Sequence, residues 1–147
     1  MLNKMAKQFT LGKNERLKSR KQIEKLFNEG KSFSVSPYRI SYLFESFTTG
    51  HSPFPVQIGV GVSGKNFKKA VDRNKIKRLT KEAYRLQKID PIAIGLQKKL
   101  EGKNLQLNVF FIYTAKEIPV FNTVKEKVKL ILNRLIKLVD ENDSSNS

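Results

Sequence analysis

The segment from Arg73 to Arg85, RNKIKRLTKEAYR, limits what this chain can fold into more than any other stretch. Wound as a helix at roughly 100° per residue, it separates into two faces. Arg73, Asn74, Lys77, Arg78, Lys81 and Arg85 fall within an arc of about 140° at that spacing. Ile76, Leu79, Ala83 and Leu86 fall on the opposite side. A helix divided in this way lays its apolar stripe on a core and turns the other face outward. Acids are nearly absent from the basic arc, so ion pairs one turn apart do not account for it. The five cations repel one another, and that cost points to an external anion. Cations clustered on one helix face are the footprint of nucleic acid.

The rest of the composition agrees. The chain has 147 residues, a length that predicts one domain, and 39% of them are hydrophobic, enough for a single core. Lys and Arg number 29 against 13 Asp and Glu, a net charge of +16. That excess favours a nucleic-acid partner first and an anionic membrane surface second. The membrane reading is the weaker of the two. The basic face is backed by Ile, Leu and Ala rather than the bulky side chains of interfacial anchors, and no apolar run approaches the roughly 18 residues of a span. The N-terminus, MLNKMAKQFT, lacks the apolar run of a signal peptide, so a cytoplasmic protein is expected. Cysteine is absent, which excludes disulfides and thiolate metal sites. The single His51 lies in a Gly/Ser/Pro loop, TTGHSPFP, with no second His or acidic cluster nearby, and reads as a surface residue.

Punctuation along the chain supplies the element order. Residues 1–14 are polar and basic and read as loose. Ser19 and Gln22 form a Ser-x-x-Gln capping box that opens a helix near Arg20. Ile23, Leu26 and Phe27 give its apolar face, and Gly30 ends it. Tyr38 to Phe47 reads as a strand, with Pro37 just before it. Thr48 to Pro55 is a turn-rich loop. Val56, Ile58, Val60 and Val62 alternate with Gln57, Gly59, Gly61 and Ser63, a half-buried strand with one nearly bare face. The basic helix spans about Lys69 to Gln87. Asp90-Pro91 opens a short extra helix ending at Gly102. Leu105 to Tyr113 reads as a buried strand. Thr123 and Glu126 form a second capping box before a final amphipathic helix to about Val139. Residues 140–147, DENDSSNS, read as a disordered acidic tail. The fold class is α+β: a two-layer sandwich of a small mixed sheet with helices packed on it, in one domain spanning 15–139.

The segment SGKNFKKAVDRNKIKRLTKEAYR, Ser63 to Arg85, resembles the signature of the bacterial ribonuclease P protein family. That family carries a Lys shortly after a strand, then Ala-Val, Arg-Asn-Arg, Lys-Arg and Arg-Glu. Lys65, Ala70, Val71, Arg73, Asn74, Lys77, Arg78 and Glu82 match. Lys75 and Lys81 stand where Arg is usual, which keeps the charge and loses the planar fork that grips phosphate. Upstream, ERLKSRKQIEKLFNEGKSF is similar to the family's opening helix. The resemblance covers about Leu11 to Leu86. The helix at about 89–103 is longer than the family's connection and reads as an insertion. The family implies the fold of the second domain of ribosomal protein S5, with a left-handed β-α-β crossover around the basic helix.

The residues contain no recognisable protein active site. One His stands alone, the carboxylates lack metal-ligand spacing, and VQIGVGVSG lacks the helix signature of a phosphate cradle. Gly59 and Gly61 therefore read as strand packing. By the resemblance, hydrolysis belongs to a partner catalytic RNA that holds Mg2+, while the protein carries no cofactor or metal and assists removal of the 5′ leader from precursor tRNA. The implied surface for the catalytic RNA is Lys65, Lys68, Lys69, Arg73, Asn74, Lys75, Lys77, Arg78, Lys81 and Arg85. Glu82 reads as an intrahelical partner for Arg78 or Arg85. The implied leader groove lies between the opening helix and the sheet, with Phe27, Tyr38 and Tyr42 as aromatic platforms and Lys31 and Arg39 as cationic rails. A one-residue shift in strand register would exchange the tyrosines for Arg39. No membrane and no stable protein partner are expected. The rival reading is a ribosomal-type or chaperone RNA-binding protein without a catalytic partner.

Overall fold

The computed structural model describes residues 16–17, 19–46, 55–87 and 91–145, excepting the side chains of 91–93 and 142–145. The loop with His51 and the chain before Arg16 lie outside the described residues. Eight elements follow one another: α1 (Arg20–Glu29), β1 (Lys31–Val35), β2 (Tyr38–Ser46), β3 (Val56–Val62), α2 (Ala70–Leu86), α3 (Pro91–Gly102), β4 (Leu105–Tyr113) and α4 (Phe121–Ser145). The Ser19 side chain accepts from the Gln22 N–H at 3.4 Å and starts α1. Gly30 ends it, its N–H donating to the Leu26 carbonyl at 2.8 Å. A side chain there would sit 2.7 Å from the Tyr42 carbonyl, so glycine is required for the chain to turn straight into the sheet.

The four strands lie in the order β1-β2-β4-β3. The β1/β2 and β2/β4 pairs are antiparallel, and β3/β4 is parallel, joined by the crossover through α2 and α3. Register places Tyr38 opposite Tyr113, Ile40 opposite Phe111 and Tyr42 opposite Val109. Val60 lies opposite Phe111 from the other side. Pleating sends all of these to one face, where they meet Ile76 and Ala83 of α2, Leu96 and Leu100 of α3, and the Val124–Val139 stripe of α4 in one apolar cluster. Leu17 and Leu26 are buried but stand outside that cluster, because α1 covers the opposite face of the sheet. No helix among the described residues is long and apolar enough to cross a membrane.

Three expectations need correction. Strand β1 has no counterpart in the sequence reading: KSFSV offers only Phe33 and Val35 as apolar residues, and both stay half-buried at the sheet's edge. Helix α4 begins at Phe121, so Thr123 sits inside its first turn rather than capping it. The acidic tail continues as helix through Ser145. Helix α3 explains this. Lys99 Nζ donates to Asp140 Oδ1 at 2.7 Å, and Lys103 Nζ donates to the Val139 carbonyl at 2.8 Å, beside buried Val139. The hydrogen bond from Lys99 also holds the Asp140 carboxyl below its usual range.

Helix α3 is thus part of the core, since Leu96 and Leu100 are both buried in it. Leu100→Ala should lower the unfolding free energy by about 2–5 kcal/mol, read by chemical denaturation. A loss well under 1 kcal/mol would mean that α3 is an appendage.

Candidate nucleic-acid interface

Helix α2 is oriented by its apolar side and by one polar pin. Ile76 and Ala83 are fully buried, and so is Thr80. The Thr80 hydroxyl donates to the Ile76 carbonyl at 2.9 Å, so the Tyr38 phenol, 2.7 Å away, is the donor to Thr80. This bond ties β2 to α2 across the core. Burial pushes the Tyr38 phenol up to about 12, partly offset by its hydrogen bond with Thr80.

With that side committed, the basic arc faces outward around a concavity of about 530 Å³. Its cations are Lys77, Arg78, Lys81 and Arg85 of α2, joined by Arg16 from outside the motif. Asn74 lines it as a polar group, and, among the described residues that line it, Glu82 is the one carboxylate. Glu82 is engaged by Arg85 at 3.2 Å, as an intrahelical pair, which leaves the concavity with a large positive excess. Arg16 arrives there because the chain before α1 pairs with β3: the Leu17 N–H donates to the Ile58 carbonyl at 2.7 Å.

Two motif cations stand apart from the concavity. Lys75 is exposed and further around the helix. Arg73 is half-buried, and its Nη1 donates to the carbonyls of Phe67 and Lys68 at 2.8 and 2.9 Å. It clamps the loop between β3 and α2, the loop that carries Lys65, Lys68 and Lys69 into solvent. The Asn66 side chain fastens the same loop to the Thr114 carbonyl at 3.1 Å.

The opposite face of the sheet carries the second surface. A groove of about 390 Å³ between α1 and the sheet brings together Phe27, Lys31 and Arg39, with Ser41 and Ile112 on its floor. Tyr38 and Tyr42 do not belong to it. Both point into the core, 1% and 7% exposed, and Tyr42 packs against Phe33 at 5.7 Å between ring centroids. The pleat gives Arg39 the open face and the tyrosines the closed one. The aromatic partner of Phe27 is Phe110, at 5.2 Å and edge-on. Phe110 lies over the bare strand at Gly59 and Gly61, where an added Cβ would approach its ring to 2.7 and 2.8 Å. The glycines are therefore packing positions, as their alternation suggested.

Phe110 and Arg16 escaped the sequence reading. For Phe110 the signal was present: Gln106 and Asn108 mark the polar face of LQLNVFFIY, and Phe110 shares their parity. Near this end of the sheet, Gln106 Nε2 donates to Gln57 Oε1 at 3.0 Å, and Lys25 of α1 meets Glu45 at 2.8 Å. Among the described residues, no group of three or more His, Cys, Asp or Glu could hold a metal ion.

The model of the family described as Ribonuclease P matches residues 11–118. Over 127 residues the chain is 36% identical to the ribonuclease P protein component of Porphyromonas gingivalis, covering 86% of this chain and 87% of that one. It is 31% identical over 129 residues to the same component of Chlorobium phaeobacteroides, covering 86% and 88%. Among solved structures, the RNase P protein from Thermotoga maritima superposes with a TM-score of 0.60 at 26% identity, covering 82% of this chain and 96% of that one. The RNase P protein of Staphylococcus aureus shares the fold, with a TM-score of 0.58 at 18% identity over 81% and 93%.

Two measurements separate gripping cations from positioning ones. Arg78→Ala should weaken RNA binding and flatten its salt dependence by about one unit or less. Arg73→Ala should weaken binding by releasing the loop, so its effect and that of Lys68→Ala should be non-additive, whereas Arg78→Ala and Lys68→Ala should add. Additive energies for the Arg73 and Lys68 pair would make Arg73 an independent phosphate contact.

Proposed function

Since the chain belongs to the ribonuclease P protein family, an RNA-associated enzyme component, we propose that it grips a catalytic RNA through α2 and the Lys65–Lys69 loop and holds the 5′ leader of precursor tRNA between α1 and the open face of the sheet. Cleavage of the phosphodiester bond belongs to the RNA, which also holds Mg2+. The protein contributes placement and positive potential. The observation that carries this reading is the α2 concavity, where, among the described residues, five cations meet one carboxylate, Glu82, which Arg85 pairs. Cations so placed neutralise phosphates and release counterions, which provides affinity without reading bases.

The groove suits a single strand. Phe27 is 46% exposed, an unusual state for a large aromatic ring unless it has something to stack on. Lys31 and Arg39 flank it. Aromatic platforms between cationic rails hold unpaired nucleotides with little regard to sequence, as a leader of varying sequence requires. Phe110 takes the place that the tyrosines vacate.

Reconstitution tests the reading. Added to a ribonuclease P RNA at low magnesium, the protein should restore cleavage of precursor tRNA. RNA binding without restored cleavage would favour the ribosomal-type or chaperone alternative. Within the restored enzyme, Phe27→Ala should cost about 1–3 kcal/mol in affinity for leader-bearing substrate, while binding to the catalytic RNA alone and the melting temperature stay near those of the parent. A large fall in melting temperature with no leader-specific loss would return Phe27 to the core.

A further inference from the structure

A cavity of about 380 Å³ opens at the corner of the sheet where α1 passes into β1 and the last part of α4 comes alongside. Its apolar walls are Leu43, Phe44 and Leu138, with the Tyr42 ring packed against Phe44 at 5.8 Å between centroids. Its charged groups are Glu29, Lys31 and Glu141. Two carboxylates against one cation reverse the sign of a chain whose net charge is +16. The cations that could offset them are engaged elsewhere. Lys25, one turn before Glu29, meets Glu45 at 2.8 Å, Arg134 sits over the Phe33 ring at 5.4 Å, and Lys99 is held by Asp140. Among the described residues, neither Glu29 nor Glu141 forms an ion pair, with Lys31 or with any other cation. Their places on the helices add to the deficit. Glu29 is the last residue of α1, Glu141 lies one turn before the end of α4, and neither helix has a basic residue in its last turn. A helix C-terminus carries a negative partial charge, so both carboxylates stand where a cation is favoured.

We propose that this cavity binds a linear aliphatic polyamine, with one ammonium group on the Glu29 carboxylate, another on the Glu141 carboxylate, and the methylenes along Phe44 and Leu138. Tyr42 supplies an independent observation. The residue is 7% exposed and lines the cavity, yet its phenol has no hydrogen-bond partner among the described residues. Buried phenols ordinarily find one, and an ammonium N–H in the cavity would donate to this oxygen. Burial raises the phenol above its ordinary range, and the nearby Glu141 carboxylate raises it further, against Arg134. The volume lies at the small end of small-molecule sites. The mixture of carboxylates and hydrocarbon suits an organic cation better than a metal ion. A hard divalent ion takes six or more oxygens, several of them from water, and gains nothing from Phe44 and Leu138. The site shares Lys31 with the groove beside α1 and no residue with the α2 concavity. It stands on the protein's own charges and walls, whatever RNA the chain carries.

The test uses the full chain without RNA, because phosphates bind polyamines themselves. Spermidine, putrescine, n-butylamine and magnesium chloride are titrated calorimetrically at constant ionic strength. Spermidine and putrescine should bind saturably, and n-butylamine, with a single ammonium group, about tenfold more weakly. Glu29→Gln and Glu141→Gln should each weaken spermidine binding by about three- to tenfold. Glu126→Gln, on α4 outside the cavity, should leave it unchanged. Tyr42→Phe keeps the ring and removes the acceptor, so it should also weaken binding. The ring signals of Tyr42 in NMR spectra, assigned through Tyr42→Phe, should shift as spermidine is added, which counterion exchange at the surface would not produce. The two glutamates are exposed, so their variants should melt with the parent. If Tyr42→Phe melts early, the glutamate variants and the ring signals decide. Spermidine binding that vanishes at matched ionic strength, that survives undiminished in both glutamate variants, or that magnesium reproduces on the same ring signals would overturn the site.

Discussion

The pleat of β2 and β4 sends Tyr38, Ile40 and Tyr42, with Leu107, Val109, Phe111 and Tyr113, to one face of the sheet, and Arg39, Ser41, Phe110 and Ile112 to the other. Consecutive residues of a strand point to opposite faces, so this division is collective: one step in register would exchange every member at once. The closed face receives α2, α3 and α4 and buries the apolar cluster. The open face receives α1 and keeps its cations and its aromatic pair within reach of solvent. Both candidate surfaces follow from this single commitment. Helix α2 can turn its charges outward only because Ile76, Thr80 and Ala83 are seated on the closed face, and the groove exists only because Arg39 is not.

Polar groups make the arrangement specific. The Tyr38–Thr80–Ile76 chain is a polar tie between β2 and α2, and it satisfies two buried hydroxyls that would otherwise be costly. Arg73 does the equivalent work at the helix's entrance by bonding two carbonyls of the preceding loop. The motif's cations consequently divide into two groups. Lys77, Arg78, Lys81 and Arg85 line the concavity, while Arg73 spends part of its guanidinium on the carbonyls of Phe67 and Lys68. A charge pattern alone draws no such line, because it counts cations without their hydrogen bonds.

Helix α3 shows how one short element can extend another far from it in the chain. Residues 91–102 bring Leu96 and Leu100 into the core and extend Lys99 and Lys103 to the last part of α4. The sequence DENDSSNS has no apolar residues and a single strong helix former, Glu141, so disorder was the reasonable expectation. Helix nevertheless runs on through Ser145, since a segment anchored at Val139 and Asp140 need only be propagated, not nucleated.

By itself, the sequence determined the elements with strong periodicity or clear caps. Helix α1 between Ser19 and Gly30, the basic helix, α3, β3 and β4 are all legible, because capping, alternation and the 3.6-residue period act over a few neighbours. The basic arc was legible for the same reason, and with it the residues Asn74, Lys77, Arg78, Lys81 and Arg85 that line the α2 concavity. Tertiary structure alone decided what depends on pairing. The parity of β2 is invisible in YRISYLFES, where serines and apolar residues occur at both parities, and only its register with β4 sends Tyr38 and Tyr42 inward. Edge strand β1 exists because β2 is there to pair with it. Arg16 lies more than fifty residues before the helix it joins, and only the pairing of Leu17 with Ile58 carries it there. Local chemistry sets the elements and their faces; which faces meet is settled by hydrogen bonds and contacts between residues far apart in the chain.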